Sequence, residues 1–338
     1  MNNFTHTGKI AVCLFFILSG FVLSQRFLGT DGMKWAIFEA VIKRPLRLLG
    51  VVWCTVILGL LINVFVQGIT PVQLGKSWMQ FVIDFVVSPF ATGEIYNSVL
   101  WTIHWELWGS MIVFGTVFVC GTYLKYLRLA IFGIVLIFTI RSYYGMFIIG
   151  MIIAELHKNF YWEALVKYRN LVSGIALAAG IVISILYLAP DSDPAVTACI
   201  SNGSRMIAAC LIFIAVMLNT TVIRSVLDGK AVSFLGNISY SLYAIHFLIM
   251  KTIAETVDTM LNQYLQKEVA FCGTILITLP VIIFAAWIMD KYIDKPCTKL
   301  SGRTARSCIQ YIQNGWLYAK AKFAASPIDS LDPDIETK

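Results

Sequence analysis

An all-α bundle of membrane-spanning helices is the fold class this sequence predicts, and three observations predict it. Hydrophobic residues fill 58% of the 338 positions and charged residues only 13%, where an ordinary soluble domain carries about 25% charged residues. The apolar runs are long and continuous rather than alternating at every second residue, which selects helices over barrel strands. Lysine and arginine gather in alternate connections between those runs, the pattern that orients helices in a bilayer.

Apolar windows place about nine spans, at 10–27, 48–67, 99–120, 129–140, 143–156, 171–189, 206–223, 234–253 and 269–290. The pair on either side of Arg141 is short. Lys34, Lys43, Arg44 and Arg47 crowd the first connection and put it on the cytoplasmic side. Alternation then puts Lys125/Arg128, Lys158/Lys167/Arg169, Arg224/Lys230 and Lys291/Lys295/Lys299/Arg303 inside. The opposite loops hold Glu94, Asp191, Asp193, Glu255, Asp258 and Glu268. The net charge of +7 is therefore mostly an orientation signal.

With nine spans and an internal C-terminus, Met1 falls outside. The first span lacks the basic leader and small-residue cleavage site of a signal peptide. The charge pattern thus leads us to expect a chain shortened at its N-terminus relative to a ten-span parent.

The cysteines form no CxxC pair and no metal-like spacing with histidine, so they read as small buried apolar residues, and no metal site is expected. No Gly-rich nucleotide loop or nucleic-acid-binding signature is present. Residues 1–302 read as one membrane domain and 303–338 as a cytoplasmic tail. Within that tail, residues 305–325 suggest an interfacial helix with Trp316, Tyr318, Lys320 and Lys322, followed by a polar, disordered end. Segment 69–98 is long for a loop, and Trp78–Ile83 suggests an interfacial or re-entrant piece.

Chemistry concentrates in a few places. Trp101-Thr102-Ile103-His104-Trp105-Glu106-Leu107-Trp108 sets a carboxylate and an imidazole inside a span. An ionisable group there costs roughly 2.5 kcal/mol or more and normally faces a cavity or the protein interior. Helical spacing separates His104 and Glu106 by roughly 160°, so they are not expected to act as a pair. Glu106 is expected to face inward with Thr102 one turn before it. Ser19-Gly20 offers a small pair in mid-span for close helix contact. Lys43-Arg44-Pro45-Leu46-Arg47 reads as a basic loop able to hold phosphates. Ser239, Tyr243 and His246 fall at i, i+4 and i+7, one polar stripe along a span. Lys291-Tyr292-Ile293-Asp294-Lys295-Pro296 reads as a helix exit with a proline stop.

In order and spacing, these segments resemble the type 3 acyltransferase family. The resemblance rests on Leu18-Ser19-Gly20-Phe21, Lys43–Arg47, Trp101–Glu106, Tyr144–Met151, Gly236–His246 and Asp294-Lys295-Pro296, and covers roughly residues 8–302. It implies a membrane protein of about ten helices that moves an acyl group, often acetyl, from a coenzyme A thioester to a hydroxyl of a cell-surface sugar. Two features depart from the family pattern. The first family helix, with an Arg and a His about ten residues later, has no counterpart, since His6 stands too close to Ser19-Gly20-Phe21 and has no Arg before it. Asp294 replaces the usual Glu.

The resemblance and the residues together assign roles. Lys43, Arg44 and Arg47 are expected to bind the phosphates of acetyl-CoA or another acyl-CoA, which is a donor substrate rather than a bound cofactor. His246 and Glu106 are the catalytic candidates, because a neutral imidazole titrates near working pH and a base is typically worth 10²–10⁴-fold in rate. Ser239, Tyr243, Trp101, Thr102 and Ser19 are the expected acceptor-binding residues. The partners are then an acyl-CoA, a glycan or lipid-linked sugar and the bilayer, in a bacterial inner membrane, with no nucleic acid. A flippase of lipid-linked sugar and an inactive family member serving as an assembly partner are the alternative readings.

Overall fold

The computed structural model describes residues 2–29, 33–65, 98–159, 167–185, 194–218 and 222–324, with 68, 79 and 86 as isolated positions. Described residues form helices and turns, with no strand among them. The helices are α1 (Asn2–Gln25), α2 (Lys34–Phe65), α3 (Trp101–Cys120), α4 (Lys125–Thr139), α5 (Tyr144–Asn159), α6 (Arg169–Ile185) and α7 (Pro194–Leu218). After them come α8 (Val222–Leu227), α9 (Lys230–Ile249), α10 (Glu255–Leu261), α11 (Lys267–Met289) and α12 (Lys295–Ala324).

Five stretches are long and apolar enough to cross a membrane, namely Gly8–Gln25, Lys34–Ile62, Trp101–Cys120, Lys230–Leu261 and Lys267–Tyr318. Every predicted span that is described lies on helix. The split at Arg141 is real, because α4 ends at Thr139 and a turn through Ser142 starts α5. These two helices have 15 and 16 residues, short of the ~20 a straight crossing needs.

α1 is the centre of one half of the bundle and packs on α5, α7 and α3. Its contact with α5 is built on glycine. A Cβ on Gly20 would drive into the Phe147 carbonyl, and one on Gly150 would drive into that of Ile17. Bare backbone on both helices lets them approach closely, the usual route to tight packing where lipid supplies no hydrophobic drive. Phe16, Ile17, Phe114, Phe132, Met146, Phe147 and Met151 fill the surrounding core. A second core of Val51, Ile238, Ile245, Ile249 and Ile282 joins α2, α9 and α11.

The far end of α1 is clamped by polar groups. Gly29, at φ +66°, turns the chain so that its N–H donates to the Gly121 carbonyl at 2.9 Å. Arg128 reaches the same carbonyl at 3.3 Å and makes a two-pronged ion pair with Glu155 at 2.9 and 2.7 Å. Lys158 donates to the Leu28 carbonyl at 2.7 Å.

Two expectations are corrected here. Lys43–Arg47 is not a loop. It lies inside α2, which starts at Lys34 and runs through Pro45, so Arg44 stands about 15 Å along the helix axis. Pro296 is not a stop. A π-helical turn at Asp290–Asp294 leads from α11 into α12, which continues to Ala324. That wide turn contains Tyr292, whose carbonyl the Pro296 ring would crowd in a regular helix. In consequence the 302/303 boundary falls in mid-helix. Trp78–Ile83 and residues 326–338 lie outside the described residues, apart from the isolated Met79.

Candidate functional site

Glu106 is 1% exposed, on the inward face of α3. Two neighbours meet it. Arg44, from α2, forms an ion pair with its Oε1, and Ser19, from α1, donates to the same oxygen at 2.9 Å. Arg44 also donates from Nη2 to Ser19 Oγ at 2.8 Å and from Nε to Ser110 Oγ at 3.0 Å. Ser110 in turn donates to the Glu106 carbonyl at 2.6 Å. Each hydroxyl therefore accepts one bond and donates one, so the cluster is a closed circuit joining three helices. One atom lies outside it: Glu106 Oε2 is buried and has no hydrogen-bond partner among the described residues. A buried acceptor without a donor is costly, so this oxygen is where a water or a ligand hydroxyl gains most.

The circuit explains the local sequence. The small pair Ser19-Gly20 sets a hydroxyl toward α3 while the glycine meets α5. Ser110 sits one turn beyond Glu106, the spacing at which a serine can bond the carbonyl four residues back.

Above the circuit, Thr102 and Tyr243 connect α3 to α9. The Tyr243 hydroxyl donates to the Val99 carbonyl at 2.6 Å, so the Thr102 hydroxyl at 2.8 Å must be the donor to it. His246 stands one turn further along α9, its ring centroid 5.8 Å from that of Tyr243. Its Nδ1 lies 2.7 Å from the Tyr243 carbonyl and 3.2 Å from that of Leu242. Carbonyls only accept, so Nδ1 carries a proton, and in the neutral tautomer this selects the lone pair is on Nε2.

The stripe anticipated on α9 is broken at its first member. Ser239 is exposed and donates to the Gly236 carbonyl of its own helix at 2.8 Å. Trp101 meets Tyr143 in a tilted contact at 5.4 Å, and Tyr143 also meets Trp105 edge-on at 5.4 Å. His104 packs against Trp105 at 4.7 Å, on a different side of α3 from Glu106. Arg47 lies near Tyr240 and Asp294 and feels both groups electrostatically. Lys43 lies over Gly302 of α12.

A family model described as an acyltransferase domain matches residues 2–290. The chain belongs to the type 3 acyltransferase family. No curated protein and no solved structure matches it. It is therefore a membrane acyltransferase with an all-helical fold. Within this acyltransferase the structure unites Ser19, Arg44 and Glu106 in one cluster and Thr102, Tyr243 and His246 in a second. Lys43 and Arg47 stand on the α12 side of α2. Sequence reasoning missed Ser110 and Tyr240. Ser110 could have been found from its four-residue spacing to Glu106. Tyr240, which donates to the Leu48 carbonyl at 2.9 Å, left no comparable sign.

Proposed function

We propose that this acyltransferase moves an acyl group, with acetyl the expected one, from acyl-CoA to a hydroxyl of a cell-surface or exported polysaccharide. One observation carries the reading: an open, buried carboxylate oxygen on Glu106 and an open imidazole nitrogen on His246 flank the Thr102–Tyr243 bridge. Glu106 Oε2 orients the acceptor hydroxyl. His246 Nε2 takes its proton as the oxygen attacks the thioester carbonyl. The tetrahedral intermediate collapses by breaking the C–S bond, and the imidazolium returns the proton to the departing CoA thiolate. Arg44 pairs with Glu106, a different duty from the phosphate contact expected of it, and Ser19 and Ser110 hold that arginine in place. Tyr243 and Thr102 lock the ring side of His246. The expected orientation puts the donor and the C-terminus on the cytoplasmic side of an inner membrane.

The test uses the full chain in detergent, with acetyl-CoA and a polysaccharide acceptor, reading free thiol and acetyl ester together. Acceptor-dependent thiol release is expected, with a loss of 10²–10⁴-fold in kcat for His246→Ala. For Glu106→Gln the main loss should fall on the acceptor's KM, because the orienting charge goes while the shape stays. Absence of both thiol release and acetyl-CoA binding would overturn the enzyme reading.

A further inference from the structure

The region matched by the family ends at residue 290, yet α12 beyond it packs along α2. Gly302 is buried at that seam, and Lys43 Cε and Nζ of α2 lie 3.9 Å from where its Cβ would be. Arg306 bends back to the same residue, donating from Nε to the Gly302 carbonyl at 3.0 Å. Helical spacing sets Lys299, Gly302 and Arg306 within roughly 60° of one another, with Arg303 about 40° beyond. Lys299, Arg303 and Arg306 are exposed and Lys43 is half-buried.

These four cations have no paired counter-charge among the described residues. None forms an ion pair among the described residues, whereas Arg44 pairs with Glu106 and Lys295 with Asp290 at 2.5 Å. Glu39, one turn before Lys43, closes no ion pair with them. Residues 295–324 contain no Asp or Glu at all. Four like charges gathered beside about two turns of α12 repel one another unless an anion neutralises them.

We infer that the α2–α12 seam at Gly302 is a phosphate-binding site, formed by Lys43, Lys299, Arg303 and Arg306. Two guanidinium forks and two ammonium groups fit the several oxygens of a phosphate, and the missing side chain of residue 302 lets Lys43 of α2 approach the basic face of α12. Two sources supply such a group: a nucleotide phosphate of acyl-CoA, which rests on the function proposed above, or the headgroup of an anionic phospholipid.

Two probes separate them on the full-length protein. Adenosine 3′,5′-bisphosphate is titrated by calorimetry against protein in zwitterionic nanodiscs. Phosphatidylglycerol retained after purification is counted by native mass spectrometry. The variants are Gly302→Glu, which sets a carboxylate beside Lys43, and the triple change Lys299→Gln/Arg303→Gln/Arg306→Gln, which decides the matter if the first does not fold. A tenfold or greater loss of bisphosphate affinity in the variants assigns the site to the nucleotide. Unchanged bisphosphate binding with a tenfold loss of retained lipid assigns it to the headgroup. Wild-type protein that takes up neither probe, or variants within twofold of wild type on both, would overturn the site. Bisphosphate binding without thioester turnover would sink the acyl-transfer reading and leave the site standing.

Discussion

Removing both members of the Arg44–Glu106 pair should cost far less than the sum of the losses from removing each alone. The side chains are 13% and 2% exposed, and stranding one charge of a buried pair costs about 3–5 kcal/mol. In Glu106→Leu, Arg44 keeps Ser19 and Ser110 as acceptors at 2.8 and 3.0 Å, so the loss should lie near the lower end, about 3 kcal/mol. In Arg44→Met, Glu106 keeps only the Ser19 bond at 2.9 Å while Oε2 stays without a donor. That variant should approach about 5 kcal/mol. Arg44→Met/Glu106→Leu removes both charges and replaces them with apolar groups of similar length. Its loss should fall below that of Arg44→Met alone, giving a coupling of about 3 kcal/mol. Reversible unfolding in mixed micelles, followed by circular dichroism against the mole fraction of sodium dodecyl sulfate, reads all four proteins. Losses that add to within about 0.5 kcal/mol would refute the closed circuit.

Gly20→Ala should destabilise by about 1–3 kcal/mol or more in the same assay, because the new methyl meets the Phe147 backbone and not a movable side chain. A neutral result would show that α1 and α5 can separate freely. Glu155→Gln should cost about 3 kcal/mol, since it strands Arg128 at 4% exposure, and hydrogen exchange should quicken at the Gly29–Gly121 turn. Exchange unchanged at that turn would refute the clamp. Tyr243→Phe removes the bonds to Val99 and Thr102 and should cost about 1–2 kcal/mol, with the share owed to the Thr102 bond absent in a Thr102→Val background. Equal losses in both backgrounds would show that the two hydroxyls are not coupled.

Much of this arrangement was legible in the residues. Glu106 announced its inward position, because a carboxylate in so apolar a run has no tolerable place on the lipid side. Ser19-Gly20 announced a close helix contact for the same kind of reason. The basic cluster around Arg44 was legible as chemistry but not as location. Its charges read as a loop, while packing carries α2 through Pro45 and buries Arg44 against α1 and α3. Pro296 misled similarly, because a proline can either stop a helix or follow a π-turn within a continuing one, and the local sequence fits both. Ser239 shared the helical phase of Tyr243 and His246 but lies exposed. Phase tells which residues share a face; it does not tell where along the helix the neighbours end.

The sequence by itself determined the class of molecule, the all-helical character of its apolar segments and the inventory of groups available for chemistry. Those follow from solvation, which each segment feels almost independently of the others. Only the tertiary structure decided which groups meet: Arg44 with Glu106, Tyr243 with Thr102, and Lys43 with Gly302 near the start of α12. Such pairings depend on how helices stack, and that depends on side-chain volumes summed over whole interfaces, which no local window contains.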